Sequence, residues 1–337
     1  MSSLSDYLMM LGLRASPGCL SRQKVLDFQS HALRRVVAHA YHNVPYYRRL
    51  FDQSGIALRD VKTAADLESL PITTKKDLQG VPVQDTIARG LHPARLVEVT
   101  TSGASGEPLT IRRTWIEHRL FLRLALRALR YFGLRMTDRR VSVVYMVHGR
   151  KRRGALHKRA LNACGIYRHA YVDCCQQPDR VLAALREWRP HVLEGYAGTL
   201  SHLAEFSMRE GGDGIRPRFI TSGAEVLTTN MRERISRAFG SPVYERYGSH
   251  ELNLIAWECR ETGELHVCDD SVVIEVLKDG RPAQPGEAGE VVGTSLHSFT
   301  MPFIRYRLGD IATRGGDTCA CGLPFSTMRP LRRAREG

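Results

Sequence analysis

Between residues 140 and 246, short apolar runs and stretches of helical spacing take turns, and this alternation restricts the fold more than any other feature of the chain. The apolar runs are Val141–Val147, Ile166–Val172, His191–Glu194, Phe219–Thr221 and Val243-Tyr244, and helical patterns at 154–163, 179–188, 198–210 and 229–239 separate them. Strands that recur only after a helix-length crossover run parallel, since a tight turn can join antiparallel neighbours only. The expectation is α/β: a largely parallel sheet covered by helices, with ligands gathered where loops leave the carboxyl ends of its strands.

The flanks read differently. Val25, Leu26, Phe28, Leu33, Val36, Val37 and Ala40 recur at spacings of three and four, which predicts an amphipathic helix ending before Pro45. A short helix ends near Gly55, and Thr73 or Thr74 caps another. Trp115 to Phe132 reads as a long helix with Leu120, Phe121, Leu124, Ala125, Ala128 and Leu129 on one side. From residue 264 the helical patterns stop. Val272–Leu277, Glu290–Ser295 and Phe303–Tyr306 read as strands, with turns at Asp279-Gly280 and Pro285-Gly286, so a small β-rich subdomain closes the chain.

Composition narrows the classes. With 337 residues, 43% hydrophobic and 25% charged, the chain has the make-up of a soluble globular protein of two domains or one elaborate α/β unit. The apolar run Tyr7–Leu13 is broken by glycine, follows Asp6 and lacks a basic flank, so it is neither a signal peptide nor a membrane span, and a cytoplasmic location is expected. The net charge of +14 comes from arginines spread along the chain, with one dense run, Arg150–Arg153, followed by Lys158-Arg159. No nucleic-acid-binding motif accompanies them, so that class is set aside, and the run reads as a solvated loop or a surface for an acidic partner. Eight cysteines at uneven spacing do not make a disulfide scaffold. Cys19, Cys164, Cys174 and Cys175 read as small core or surface residues, whereas Cys259, Cys268, Cys319 and Cys321 cluster in the last quarter.

Chemistry concentrates in five stretches. Thr100–Pro108, Thr-Thr-Ser-Gly-Ala-Ser-Gly-Glu-Pro, lies between the strand patterns Leu96–Val99 and Leu109–Ile111. Its two glycines let backbone N–H groups approach an oxyanion such as a phosphate, although neither a Walker loop nor a dinucleotide fingerprint is present. Gly195-Tyr196, Ser222–Glu225 and Tyr247–Glu251 each follow a strand, and Arg305–Asp310 ends one. Glu251 suits a magnesium ion held against phosphates, Asp310 suits two sugar hydroxyls, and Tyr247 suits an adenine face. Taken singly, each has an ordinary structural explanation: a buried Glu paired with Arg, an Asp in a turn, a core Tyr.

In this order the stretches resemble the adenylate-forming superfamily of acyl- and aryl-coenzyme A ligases, and more narrowly its phenylacetate-coenzyme A ligase branch. Val44–Tyr47, Leu70–Leu78 and Met301–Tyr306 fit that branch too, so the resemblance runs from about residue 30 to residue 325. It implies the large N-terminal core of such an enzyme: a helical part at 1–95, an α/β nucleotide- and acyl-binding core at 96–250 and a β-rich subdomain at 251–337. The reaction implied has two steps. A carboxylate attacks the α-phosphate of ATP, and a thiol of coenzyme A or an acyl carrier protein, or an amine, then takes the acyl group from the adenylate. Carried over, Thr101, Ser102, Gly103, Ser105 and Gly106 cradle phosphates; Ala224, Glu225, Tyr247, Gly248 and Asp310 bind the nucleotide; Tyr196, Ser222 and Gly223 line the acyl pocket; and Glu251 holds Mg2+. These loops are therefore expected to converge on one crevice. Some members of the branch carry zinc, and Cys259, His266, Cys319 and Cys321 offer four ligands for a structural Zn2+ site, with Cys268 as a substitute.

The chain also departs from the pattern. It runs 27 residues past Asp310, too few for the mobile C-terminal lid of the family, so neither that lid nor its lysine is expected in this sequence, whose last lysine is Lys278. Glu107 stands where the family usually has lysine, His250 replaces a Ser or Thr, and Ala104 lacks a hydroxyl. Two readings follow. One is a minimal ligase in which Arg307, an arginine of the tail, or a partner chain supplying the lid replaces the lysine. The other is an ATP-independent protein that transfers or holds a ready-made acyl group. The presence of both Glu251 and Asp310 favours the first.

Overall fold

A computed structural model describes residues 21–101, 108–146, 165–166, 168–211 and 214–333, with side chains as far as Arg329. Ser102–Glu107, the helical pattern at 154–163, the basic run from Arg150 and the apolar run Tyr7–Leu13 lie outside the described residues. The chain forms two compact units, one of Met1–Arg127 with Tyr247–Gly337 and one of Ala128–Arg246.

The first unit opens with helix α1, Arg22–Asn43, whose N-cap Ser21 accepts a hydrogen bond from the Lys24 N–H. Its buried stripe is Val25, Ala32, Leu33, Val36, Val37 and Ala40. The helix stops because Val44, preceding a proline, takes an extended conformation. Pro45 then starts α2, Pro45–Gln53, from the first-turn position where its missing N–H costs nothing. Both helices bury their apolar faces with Val273, Leu296 and Ile304 from the far end of the sequence. Helix α3, Lys75–Gln79, is capped by Thr74 in a reciprocal box with Asp77. Thr73 instead ties this segment to a distant strand, its N–H donating to the Arg305 carbonyl at 2.9 Å and its carbonyl accepting from Arg307 N–H at 2.9 Å. Strands β1, Val97–Thr100, and β2, Thr110–Arg113, pair antiparallel with Thr100 opposite Thr110, so the glycine loop joins two strands as its flanks indicate. Helix α4, Trp115–Tyr131, follows.

In the second unit, β3 (Arg140–Val144), β4 (His169–Asp173), β5 (Val192–Gly195), β6 (Phe219–Gly223) and the first half of β7 (Val243–Ser249) form a parallel ladder in the order β4-β3-β5-β6-β7. Helices α5 (Pro178–Trp188), α6 (Ala197–Arg209) and α7 (Thr229–Phe239) supply the crossovers from β4 to β5, β5 to β6 and β6 to β7. One face is apolar: Val141, Val143, Leu193, Ile220 and Val243 pack against Val181, Leu185, Leu200, Ile235 and Phe239. The alternate positions, Arg140, Ser142, His169, Glu194 and Arg246, put charge on the other face.

The chain returns to the first unit along β7 and continues into an antiparallel set: β8 (Asn253–Glu258), β9 (Leu265–Val267), β10 (Val272–Lys278), β11 (Arg281–Pro282), β12 (Ala288–Ser295), β13 (Tyr306–Arg314) and β14 (Thr327–Arg333). Their order is β11-β10-β12-β13-β14-β9-β8. Among the shifted expectations, the strand read at Ile166–Val172 runs from His169 to Asp173. The first strand of the alternating region ends at Val144, and the strand expected at Phe303–Tyr306 only begins at Tyr306, because Arg305 takes a left-handed φ of 49° and turns the backbone.

Candidate functional site

In the first unit the Tyr247–Glu251 and Arg305–Asp310 segments meet. Tyr247 donates its hydroxyl to Asp310 Oδ2 at 2.7 Å, and Tyr306 donates its own to Glu251 Oε1 at 3.2 Å. Glu251 is 8% exposed and Tyr306 2% exposed, so the second pair sits in low dielectric. Burial, with the nearby Glu251 carboxylate, pushes the Tyr306 phenol well above its ordinary range and keeps it a protonated donor.

The backbone presents these groups firmly. Arg305 anchors the start of β13 through Glu275 at 3.1 Å and the carbonyls of Glu68 and Leu70 at 2.9 and 2.6 Å. Further along, the β12–β13 register shifts between Glu290 and Val292, opposite Leu308, Gly309 and Asp310. Gly309 has a φ of 73°, and such a bulge re-aims a side chain, here Asp310. Gly248 lies so close to the Asn253 carbonyl that a Cβ would overlap it, which explains glycine after Tyr247. Arg113, at the end of β2, bonds the carbonyls of His250 and Glu251, the latter at 3.4 Å, and stacks on Phe121 at 4.4 Å. Burial lowers its guanidinium to about 10, against the opposing pull of Glu117 and Glu251, and it stays charged at neutral pH.

Thr101 closes the base of the glycine loop, its N–H donating to the Leu109 carbonyl at 3.0 Å and its hydroxyl accepting from the Leu109 N–H at 2.9 Å. Ser102, Gly103, Ser105 and Gly106 lie outside the described residues. Arg307 is exposed and its Nε lies 3.0 Å from Glu290 Oε1, so its charge is already paired.

In the second unit, Tyr196, Ser222, Gly223, Ala224 and Glu225 stand at the carboxyl ends of β5 and β6. Tyr196 precedes α6, and burial raises its phenol pKa. Ser222 is fully buried and its hydroxyl has no hydrogen-bond partner among the described residues. Ala224 holds a φ of 65°, a left-handed strain that a non-glycine residue keeps only where its surroundings impose it. Glu225 Oε2 accepts the Gly198 N–H at 2.7 Å and so caps α6. Asp173, Cys174 and Cys175 lie together at the end of β4.

The cysteine cluster forms in the first unit. One ligand atom each from Cys259, His266, Cys319 and Cys321 lies within 4.8 Å of the others, and Cys321 Sγ is 3.3 Å from His266 Nε2. Cys259 Sγ also accepts the N–H groups of Glu261 and Thr262 at 3.4 and 3.5 Å, donors that suit a thiolate. Donors around a tetrahedral zinc stand about 3.8 Å apart, so these four atoms, all within 4.8 Å of one another, reach that geometry with small adjustments. Burial holds His266 down to about 4 and raises Cys321 to about 12; a bound cation favours the neutral imidazole and the thiolate alike.

No family profile matches the chain. It is 27% identical over 338 residues to the phenylacetate-coenzyme A ligase of Thermus thermophilus, covering 93% of this chain and 71% of that one. It is 29% identical over 301 residues to the phenylacetate-coenzyme A ligase of Escherichia coli K12, covering 84% and 65%. The fold matches crystal structures of 2-hydroxyisobutyryl-CoA ligase with a TM-score of 0.76 at 21% identity, over 93% of this chain and 67% of that one. Over most of its length the chain is similar to phenylacetate-coenzyme A ligases, and its fold is that of an acyl-coenzyme A ligase core. It spans about two thirds of the length of these relatives, 71% in one and 65% in the other.

Three features of this chain escape a sequence reading. Arg113 and the bond from Tyr306 to Glu251 depend on contacts 138 and 55 residues away. Glu117 accepts the N–H groups of Phe299 and Thr300 at 2.7 and 2.8 Å, and also the Thr300 hydroxyl. Its local signal was present, since Thr114-Trp-Ile-Glu117 is a capping box, and Thr114 N–H donates to Glu117 at 3.1 Å. Cys268 stands apart from the cysteine cluster: it is fully buried, and burial raises its thiol to about 12.

Proposed function

We propose that this chain activates a carboxylate with ATP as an acyl-adenylate and passes the acyl group to the thiol of coenzyme A. The observation that carries this reading is the meeting of Tyr247, Glu251, Tyr306 and Asp310 from two segments some sixty residues apart. Asp310 accepts the ribose hydroxyls, Tyr247 borders the adenine, and Glu251 holds Mg2+, which supplies counter-charge to the phosphates. Thr101 is assigned to the phosphates. We assign Ala224 and Glu225 of the second unit to nucleotide binding, and Tyr196, Ser222 and Gly223 to the acyl group.

In the first step a carboxylate oxygen bonds to the α-phosphorus and pyrophosphate leaves. In the second the thiol sulfur bonds to the acyl carbon and AMP leaves. Such chemistry needs positioning and charge stabilisation more than a nucleophilic side chain, and the hydrogen-bonded carboxylates on anchored backbone provide the positioning. Relatives named phenylacetate-coenzyme A ligases support an aryl or acyl carboxylate as substrate and coenzyme A as acceptor. Arg307 is assigned the counter-charge for the developing negative charge at phosphate; its pair with Glu290 is solvent-exposed and can be exchanged for a phosphate oxygen.

We also read the Cys259, His266, Cys319 and Cys321 cluster as a structural zinc site, because all four positions are taken by protein donors. Carboxylate-dependent exchange of labelled pyrophosphate into ATP tests the first step. No exchange across a broad panel of aryl and aliphatic acids would sink the adenylation reading.

A further inference from the structure

The two motif tyrosines are exchanged between the motifs. Tyr247 stands four residues before Glu251 yet bonds Asp310, and Tyr306 stands four residues before Asp310 yet bonds Glu251. Each segment holds the carboxylate of the other. Both tyrosines rise from fixed backbone: Tyr306 lies between the two Thr73 hydrogen bonds at 2.9 Å, and Tyr247 precedes the close Gly248–Asn253 approach.

The donor type matters. An arginine or lysine on Glu251 would orient it and also cancel its charge, whereas a phenol orients the carboxylate and leaves the full negative charge for a cation. A buried carboxylate with free rotamers would lose that entropy on binding a metal; one already held by a hydroxyl does not. Arg113 complements this by bonding the Glu251 main chain, so the residue is fixed at its backbone by a cation and at its side chain by a neutral donor.

We propose that Tyr306 and Tyr247 are positioning residues that form a crossed latch: Tyr306 sets Glu251 for a divalent cation and Tyr247 sets Asp310 for a ribose, joining the metal and nucleoside subsites into one preorganised unit. This inference rests on the nucleotide reading above. It concerns residues that touch neither reacting atoms nor phosphate, and it predicts a separation of effects that a structural role would not give.

The test measures binding on the purified chain. Mn2+ uptake by the AMP-loaded protein is followed through loss of the free-ion EPR signal, and AMP affinity without metal is followed by calorimetry. Tyr306→Phe, which removes a single oxygen, is expected to weaken Mn2+ binding about tenfold, as loss of a ligand's hydrogen-bond partner does, and to leave AMP affinity within about twofold. Tyr247→Phe is expected to weaken AMP binding instead. Glu251→Gln removes the charge, and adding Tyr306→Phe to it brings no further loss of Mn2+, because the hydroxyl acts through that carboxylate. Wild-type protein that takes up neither AMP nor Mn2+ overturns the nucleotide reading and the latch with it. Normal AMP and Mn2+ binding by Tyr306→Phe, or additive losses in the double variant, overturns the latch alone.

Discussion

Glu194 is held between two arginines. Its Oε1 lies 2.6 Å from Arg140 Nε and its Oε2 2.7 Å from Arg246 Nη2, with Ser142 donating to Oε1 at 3.2 Å. The carboxylate thus links β3, β5 and β7 across the polar face of the parallel sheet, just before Gly195 and Tyr196. Burial opposes its ionisation, but the two guanidiniums overcome that and hold its pKa at about 2.

A depressed carboxylate pKa stabilises the fold above its unfolded value, near 4.5, and the contribution is lost as pH falls through the folded value of about 2. The drop is worth on the order of 3 kcal/mol. Glu194→Gln should therefore be destabilised at pH 7 and should lose the corresponding part of the wild-type acid transition. Denaturant unfolding of both proteins from pH 7 down to pH 2.5 checks this; parallel stability curves would show that the ion triad is not the cause.

Asp310→Ala should weaken ATP binding by about tenfold to a hundredfold, since charge-assisted hydrogen bonds contribute roughly 1.5–3 kcal/mol each. Asp310 is only half-buried, so the melting temperature should move little. Calorimetry with ATP reads the affinity, and equal affinities would remove Asp310 from the nucleotide site.

The protein should carry about one zinc per chain, since four protein donors close one tetrahedral site. Cys319→Ser and Cys321→Ser should each release it, and a strong chelator should lower the unfolding midpoint, because metal binding contributes to folding free energy. Cys268→Ser should keep its metal. Metal analysis with thermal unfolding decides, and full zinc content in the Cys319→Ser/Cys321→Ser double variant would exclude the assignment.

Gly248→Ala should cost about 1–3 kcal/mol, because the new methyl group meets the Asn253 carbonyl and the backbone must move. Gly263 provides the contrast. It has a φ of 72° with nothing within 4 Å, so Gly263→Ala should cost only backbone strain, roughly 1 kcal/mol. Chemical denaturation of both variants ranks the two effects.

Local patterns determined much of this protein without reference to the fold. The α1 stripe, the stop at Pro45, the hairpin around the glycine loop and the strand–helix alternation after residue 140 depend on neighbours a few residues apart, so the sequence shows them directly. The motif letters likewise pointed to the adenylate-forming ligases. Tertiary structure alone decided the rest. Thr74 rather than Thr73 caps α3 because Thr73 is drawn to Arg305, 232 residues on. Strands β8, β9 and β14 exist through antiparallel pairing, which their own short patterns do not announce. Tyr247 reaches Asp310 and Tyr306 reaches Glu251 because a bulge and a close glycine contact aim them, and such geometry follows from which distant backbones pair, a property that no single segment encodes.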